Sequence, residues 1–188
     1  KQDALSAEFQ AVDMPGLTLD ATLKNTIEYS MSHNVAAVKR GTKQPDEYIL
    51  MMAHWDHLGM NDDQSGDNIY NGAVDNATGT AGLLELANYF SSIESERSLL
   101  FLAVTAEESG LLGSQYFAEY PPIDLSNVVA GYNFDAVLPM GKTKDMIVVG
   151  YGASELEDIL KKELDKINKY ITPDPEPEKG FFYRSDHI

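Results

Sequence analysis

The 188-residue chain contains no cysteine and few basic residues. Without cysteine it can form neither disulfides nor thiolate metal sites, so histidine, aspartate and glutamate are the only strong metal ligands that it offers. Its 14 lysines and arginines are outnumbered by 30 acidic residues, which gives a formal net charge of −16. This charge argues against a nucleic-acid partner, because the phosphate backbone would be repelled, and it suits cations and metal ions.

Long hydrophobic runs are also missing, since no stretch reaches the roughly 18 to 20 apolar residues that would span a membrane. The composition, with 43% hydrophobic residues, is typical of a globular protein with a substantial core. A signal peptide removed on secretion would leave no trace, so the sequence leaves secretion open, and we expect an extracellular or periplasmic location.

Four short apolar runs predict inner strands of a parallel sheet, because apolar residues without polar alternation indicate strands that are buried on both faces. These runs are residues 48–53, 99–104, 128–134 and 146–150. Residues 25–39 predict one or two strands at a sheet edge, and residues 1–24 form a lead-in segment to which we assign no chemistry.

Three helices are predicted between and after these strands. Leu83, Leu86, Ala87 and Phe90 have helical spacing after Asp75 and Asn76, and residues 110–120 predict a short second helix. The pair Ser154 and Glu157 is a capping box that opens a third helix. Its predicted inward residues are Leu156, Ile159, Leu160, Leu164 and Ile167.

Side chains that can bind metals stand where the predicted strands end. The adjacent carboxylates Glu107 and Glu108 follow the run 99–104, and they repel each other unless a cation lies between them. The alternative is that they open the next helix, where acidic side chains favour the positive end of the helix dipole. Asp75 has a similar alternative, because Asp75 or Asn76 could be a plain helix N-cap.

His54 and Asp56 follow the run 48–53, and the alternation of a strand aims both side chains to one side. The carboxylate of Asp56 could therefore orient the imidazole or hold the neighbouring backbone. The same alternation turns His57 elsewhere, so we interpret His57 as a residue at the rim of the site rather than a ligand.

The ends of parallel strands meet at one rim of a sheet. Six candidate side chains stand just after an apolar segment or in a loop, and most follow a predicted strand, so we expect them to lie close together: His54, Asp75, Glu107, Glu108, Asp135 and His187. Two histidines and four carboxylates match the ligands of a zinc or mixed-metal hydrolase, in which one carboxylate bridges two ions about 3.5 to 4 Å apart and one is left free as a base.

Five segments carry these side chains: residues 53–59, 72–79, 106–114, 133–135 and 184–187. They resemble, in the same order, the motifs of metallopeptidase family 28, the di-zinc aminopeptidases. The resemblance covers roughly residue 34 to the end of the chain.

The resemblance implies a role for each metal ligand. Asp75 would bridge two zinc ions, with His54 and Asp135 completing one position and Glu108 and His187 the other.

It also implies roles for residues beside the metals. Glu107 would be the general base that takes a proton from the attacking water, Asp56 would support His54, and Tyr183 would help to stabilise the oxyanion. The peptide between Asp75 and Asn76 would be cis.

The predicted fold is a three-layer α/β/α sandwich over residues 1–188, with a mostly parallel mixed sheet, an antiparallel edge from residues 25–39 and helices on both faces. Family members continue after the last ligand with a helix and a strand. We therefore expect a catalytic-domain fragment that is truncated at the C-terminus and can self-associate through the edge left open.

The leading functional hypothesis is a zinc-dependent exopeptidase acting on a peptide substrate, most simply an aminopeptidase. The alternatives are a glutamate-type carboxypeptidase or a glutaminyl cyclase of the same fold, and a non-catalytic binding relative. A carboxypeptidase needs an arginine-lined pocket, whereas Arg97 and Arg184 are the only arginines after Arg40. A binding relative normally shows lost ligands, whereas all six positions are filled here.

Overall fold

In the computed structural model, which describes residues 10, 13, 15–62, 65–137 and 141–188, the longest apolar runs form the centre of a four-stranded sheet. These central strands, β2 (Gln44–His54) and β5 (Arg97–Val104), are parallel neighbours. Strand β1 (Val35–Lys39) pairs antiparallel with β5 at one edge, and β6 (Val128–Asn133) pairs parallel with β2 at the other. The sheet is mixed and mostly parallel, as predicted. The prediction of an inner strand over residues 128–134 is wrong, because β6 forms an edge of the four-stranded sheet and its Val129 and Tyr132 are exposed.

The two faces of this sheet carry separate apolar clusters. On β5, Leu100 and Leu102 point to one face and pack with Phe117 of α2 (Leu112–Glu119). Leu99 and Phe101 point to the other face and pack with α1 (Ala77–Ser91). Helices therefore cover both faces, and the α/β/α prediction is confirmed. The predicted inner residues of α1 contact this second cluster: Leu83, Leu86, Ala87 and Phe90.

The chain divides into two compact units, Lys1–Met31 and Ser32–Ile188. In the first unit, the described residues form a turn at Pro15 and Gly16 and carry no assigned helix or strand. Much of the predicted lead-in, residues 1–9, 11, 12 and 14, lies outside the described residues. The predicted edge strand over residues 25–39 is too long, since only Val35–Lys39 pairs in the sheet. The polar Ser32, His33 and Asn34 precede it, and Asn34 bonds to a neighbouring loop instead of extending the strand.

The fourth predicted inner strand lies outside the central sheet. Strand β7 (Asp145–Val148) pairs parallel with β8 (Tyr170–Pro173) in a separate two-stranded sheet, and Met146 and Ile147 are about half exposed. The prediction was wrong because an apolar run of four or five residues predicts a strand without specifying its partner. A further small pair, β3 (Gly59–Met60) with β4 (Ile69–Tyr70), is antiparallel.

Helix α3 (Leu156–Lys166) packs against β8. Its N-cap is Glu155, which makes no side-chain cap hydrogen bond, so the predicted capping box forms only in part: the Glu157 carboxylate accepts the Ser154 N–H at 3.4 Å, but the Ser154 hydroxyl does not bond to the Glu157 N–H. The Ser154 hydroxyl accepts the Leu156 N–H at 3.1 Å, and the Glu157 carboxylate accepts the Gly152 N–H at 2.7 Å. Leu164 is buried. The predicted burial of Ile159 and Ile167 is wrong, because each is more than half exposed and a two-stranded sheet is too narrow to cover the whole apolar stripe. No helix in the described part of the chain is long and apolar enough to cross a membrane.

Candidate metal centre

Three parallel strands end at the same edge of the central sheet and bring their polar residues together. His54 is the last residue of β2 and pairs with Val104, the last residue of β5. Glu107 and Glu108 follow β5, and Asp135 follows β6 by two residues. The register of the strands therefore sets these side chains at one rim, as the sequence predicts for strand ends.

His54 is fully buried between carboxylates. Its Nε2 lies 3.2 Å from Asp75 Oδ1 and 3.3 Å from Asp135 Oδ1, and its Nδ1 lies 3.2 Å from the backbone oxygen of Asp56. Burial lowers the pKa of His54, but the hydrogen bond to Asp135 and the charges of Asp135, Glu107 and Asp75 outweigh it and raise that pKa to about 9. The carboxylates around His54 therefore favour a positive charge at its imidazole.

Asp56 contacts the glutamate pair as well as His54. Its two carboxylate oxygens accept the backbone N–H groups of Glu107, at 3.1 Å, and of Glu108, at 3.3 Å. The Asp56 carboxylate is 3.7 Å from His54 Nδ1, so the carbonyl of Asp56 orients the imidazole while the side chain holds the neighbouring backbone. Of the two predicted roles for the Asp56 carboxylate, the structure shows the hold on the neighbouring backbone, while the contact with the imidazole comes from the Asp56 carbonyl.

The loop that carries the two glutamates is tied at both ends by Asn34. The Asn34 amide donates to the carbonyl of Gly113 at 2.7 Å, and its oxygen accepts the N–H of Thr105 at 3.1 Å. A Cβ on Gly113 would lie 2.2 Å from the Thr105 carbonyl oxygen, so only glycine fits there. The edge strand therefore helps to place Glu107 and Glu108.

Asp75 and Asn76 are adjacent but have different roles: Asn76 caps a helix, and Asp75 faces His54. Asn76 is the N-cap of α1, because its side-chain oxygen accepts the N–H of Gly79 at 3.0 Å. Its amide also donates to the carbonyl of Phe134 at 2.9 Å, which ties α1 to the end of β6. Asp75 is left half exposed with its carboxylate beside His54. The peptide between the two residues is cis, as expected.

Glu107 lies with His54 and Asp135 in a group whose donor atoms are within 4.8 Å of one another. Burial raises the pKa of the Glu107 carboxyl, and the nearby charges of Asp135, Asp186 and Glu108 add to the effect, although His54 opposes it; the resulting pKa is about 7. A carboxylate with this pKa is suited to take up and release a proton near neutral pH.

His57, interpreted from the sequence as a residue at the rim, belongs to a second group of donor atoms within 4.8 Å, with Asp75 and Glu108. Its Nδ1 lies 2.6 Å from Glu108 Oε1. Strand alternation did not anticipate this contact, because β2 ends at His54 and the period of two does not continue into the loop. The adjacency of two histidines and an aspartate after a buried strand was the available signal.

His187 and Tyr183 lie in the C-terminal segment. The His187 ring packs edge to face on Phe182, with centroids 4.9 Å apart, and burial lowers its pKa against the opposing charges of Asp135 and Asp186. In the part of the chain that the structure describes, neither group of metal-binding donors includes His187. Tyr183 lies in a 3₁₀ turn and is 74% exposed. The structure thus brings together His54, Asp75, Glu107, Glu108 and Asp135, with Asp56 behind the glutamates.

Two groups of imidazole and carboxylate donors at one rim of an α/β/α sheet form a candidate metal-binding site. The chain belongs to Peptidase family M28, whose model matches residues 34–188.

The chain is also similar to individual metalloproteases and aminopeptidases. The chain is 38% identical over 104 residues to a probable zinc metalloprotease of Pyrenophora teres f. teres, a match covering 55% of this chain and 22% of that protein. It is 31% identical over 122 residues to aminopeptidase YwaD of Bacillus subtilis, covering 63% and 25% of the two chains. Its fold is similar to that of BSAP, a zinc aminopeptidase from Bacillus subtilis, with a TM-score of 0.62, 23% identity, and 82% and 36% of the two chains covered. The chain thus spans well under half the length of each of these three proteins.

Proposed function

We propose that this chain is the catalytic part of a zinc-dependent exopeptidase that removes N-terminal residues from peptides. The observation that carries the proposal is the buried imidazole of His54, held between the carboxylates of Asp75 and Asp135 at 3.2 and 3.3 Å. A fully buried imidazole against two partly exposed carboxylates is favoured by a cation among these groups. Their nitrogen and oxygen donors are those that zinc accepts. The relative described as a probable zinc metalloprotease supports this choice of metal.

The ligands would fall into two positions that share Asp75. His54, Asp75 and Asp135 would hold one ion, and Asp75, Glu108 and His187 the other. His57 Nδ1 lies 2.6 Å from Glu108 Oε1 without hydrogen-bond geometry between them, and His57 would stand beside that carboxylate at the rim of the centre. Zinc, when bound, supplies a water molecule of lowered pKa and polarises the scissile carbonyl.

Glu107 would act as the general base of the reaction. Its backbone is fixed by Asp56, and its carboxylate lies in the group formed with His54 and Asp135. In this position it can take a proton from the attacking water and return it to the leaving amine. Tyr183, exposed in the segment next to His187, would donate a hydrogen bond to the developing oxyanion.

The arginines favour an aminopeptidase over a carboxypeptidase. A carboxypeptidase recognises a terminal carboxylate, usually with an arginine fork. Arg97 is paired with Glu47 at 2.6 Å, and Arg40 donates to the Tyr48 hydroxyl at 3.0 Å. Both lie away from the strand ends that carry the donors, since Arg97 is the first residue of β5. Only Arg184 remains near the centre in sequence, and its guanidinium lies over the ring of Phe181.

The test is hydrolysis of a panel of unblocked peptides, aminoacyl anilides and acidic dipeptides, with added zinc and with a chelator. We expect zinc-dependent release of the N-terminal residue. A protein that binds zinc and cleaves none of these substrates would contradict the proposal and favour a binding relative.

A further inference from the structure

The segment before His187 contacts a carboxylate of the other metal position. The Ser185 hydroxyl donates to Asp135 Oδ2 at 2.5 Å, while Asp135 Oδ1 faces His54 Nε2 at 3.3 Å. Ser185 is 9% exposed, so this hydrogen bond is shielded from water. The carboxylate of Asp135 is therefore held from both sides.

The direction of this hydrogen bond is fixed by a third residue. The Asn133 amide donates to the Ser185 oxygen at 2.6 Å. A hydroxyl has a single proton and a carboxylate can only accept, so Ser185 accepts from Asn133 and gives its proton to Asp135.

The next residue anchors the same segment to the helix after the glutamate loop. The Ser114 hydroxyl, on α2, donates to Asp186 Oδ1 at 2.6 Å, and Asp186 is 4% exposed. The segment is thus held at Ser185 by β6 and at Asp186 by α2. His187 follows directly.

We propose that Ser185 is a positioning residue for the metal position formed by His54, Asp75 and Asp135. This inference rests on the proposed zinc centre and deepens it. The hydrogen bond from Ser185 fixes the rotamer of Asp135 and leaves Oδ1 directed at the position beside His54. Because Ser185 stands two residues before His187, one short segment serves both metal positions.

The experiment measures zinc affinity by competition with a chromophoric chelator for the wild type, Ser185→Ala, Ser185→Thr and Ser126→Ala. Loss of a hydrogen-bond partner behind a metal ligand costs about 10- to 100-fold in metal affinity. We expect Ser185→Ala to lower the affinity for one of the two zinc ions by this factor. Ser185→Thr keeps the hydroxyl, so we expect it to have the wild-type affinity. Ser126 is the matched control, because its hydroxyl donates to the exposed Asp124 at 2.8 Å in the same kind of bond. It should leave both affinities unchanged.

A cobalt(II) spectrum of each variant separates positioning from general damage. We expect Ser185→Ala to alter the visible bands of one bound cobalt ion while the melting temperature of the metal-free protein stays within a few degrees of the wild type. Wild-type zinc affinity in Ser185→Ala, or a loss that threonine does not restore, would overturn the inference.

If Ser185→Ala does not fold, Asn133→Ala provides the second test. We expect this variant to show a smaller loss of affinity for the same zinc ion, and an unchanged affinity would contradict the inference. A wild type that binds no zinc would instead contradict the proposed function itself.

Discussion

The proposed mechanism gives the two adjacent glutamates different roles. Glu107 lies with His54 and Asp135, whereas Glu108 lies with His57 and Asp75. We predict that Glu107→Ala keeps zinc but loses activity by at least the 10²- to 10⁴-fold that is typical of removing a general base. The matched variant Glu108→Ala should lose zinc as well as activity. Metal content and turnover numbers of the two variants provide the check, and equal loss of zinc in both would contradict the division of roles.

Asp75 is assigned to both metal positions. Without it, two dications would repel each other with fewer ligands between them. We predict that Asp75→Ala binds at most one zinc ion per chain and is inactive. Elemental analysis measures the number of zinc ions per chain in this variant. Two retained ions would show that Asp75 does not bridge the two metal positions.

At the scale of single residues, the sequence predicted which residue types would meet but not every contact among them. His54 and Asp135 come together because the ends of parallel strands converge, which is visible in the apolar pattern, whereas Asp75 reaches them from the loop just before α1. The contact of His57 with Glu108 depends on a loop conformation beyond the end of β2, where no periodicity applies. The hydrogen bond from Ser185 to Asp135 joins residues 50 apart in the chain and depends on tertiary packing.

At the scale of elements, strand β1 does more than close an edge of the sheet, because Asn34 just before it holds both ends of the glutamate loop. We predict that Asn34→Ala lowers the free energy of unfolding by about 1 to 3 kcal/mol, since the Thr105 N–H and the Gly113 carbonyl lose their partner. Urea unfolding measures this change.

The control for this variant is Asn71→Ala. The Asn71 amide makes only a local, exposed bond to the carbonyl of Ile69 at 3.3 Å. Its removal should change stability by less than about 0.5 kcal/mol. An Asn34→Ala protein as stable as this control would show that the clamp contributes nothing.

Buried elements were predicted better than exposed ones. The runs that became β2 and β5 are apolar on both faces, and only the middle layer of a three-layer fold can bury them. Strand β7 is short and half exposed, so its residues carried no information about which sheet it would join. The pair Ser154 and Glu157 correctly predicted where helix α3 begins. Fewer of its apolar residues are buried than the sequence pattern predicted, because the sheet beneath the helix has only two strands.

At the scale of the whole molecule, charge and arginine placement agree on the kind of substrate. A chain of formal charge −16 attracts a substrate ammonium group. Two of its three arginines are engaged at Glu47 and Tyr48, away from the donor groups. These features support the proposed recognition of a free amino terminus rather than of a terminal carboxylate.

The proposed aminopeptidase activity is tested most directly by comparing the cleavage of one peptide with that of its N-acetylated form. The zinc-loaded protein is the enzyme, and the Glu107→Ala variant is the blank. Acetylation removes the positive charge that the acidic site is proposed to bind and leaves the scissile bond unchanged. We predict that the free peptide is cleaved after its first residue and that the acetylated peptide is not cleaved above the blank. Equal cleavage of the two peptides would contradict the assignment as an aminopeptidase.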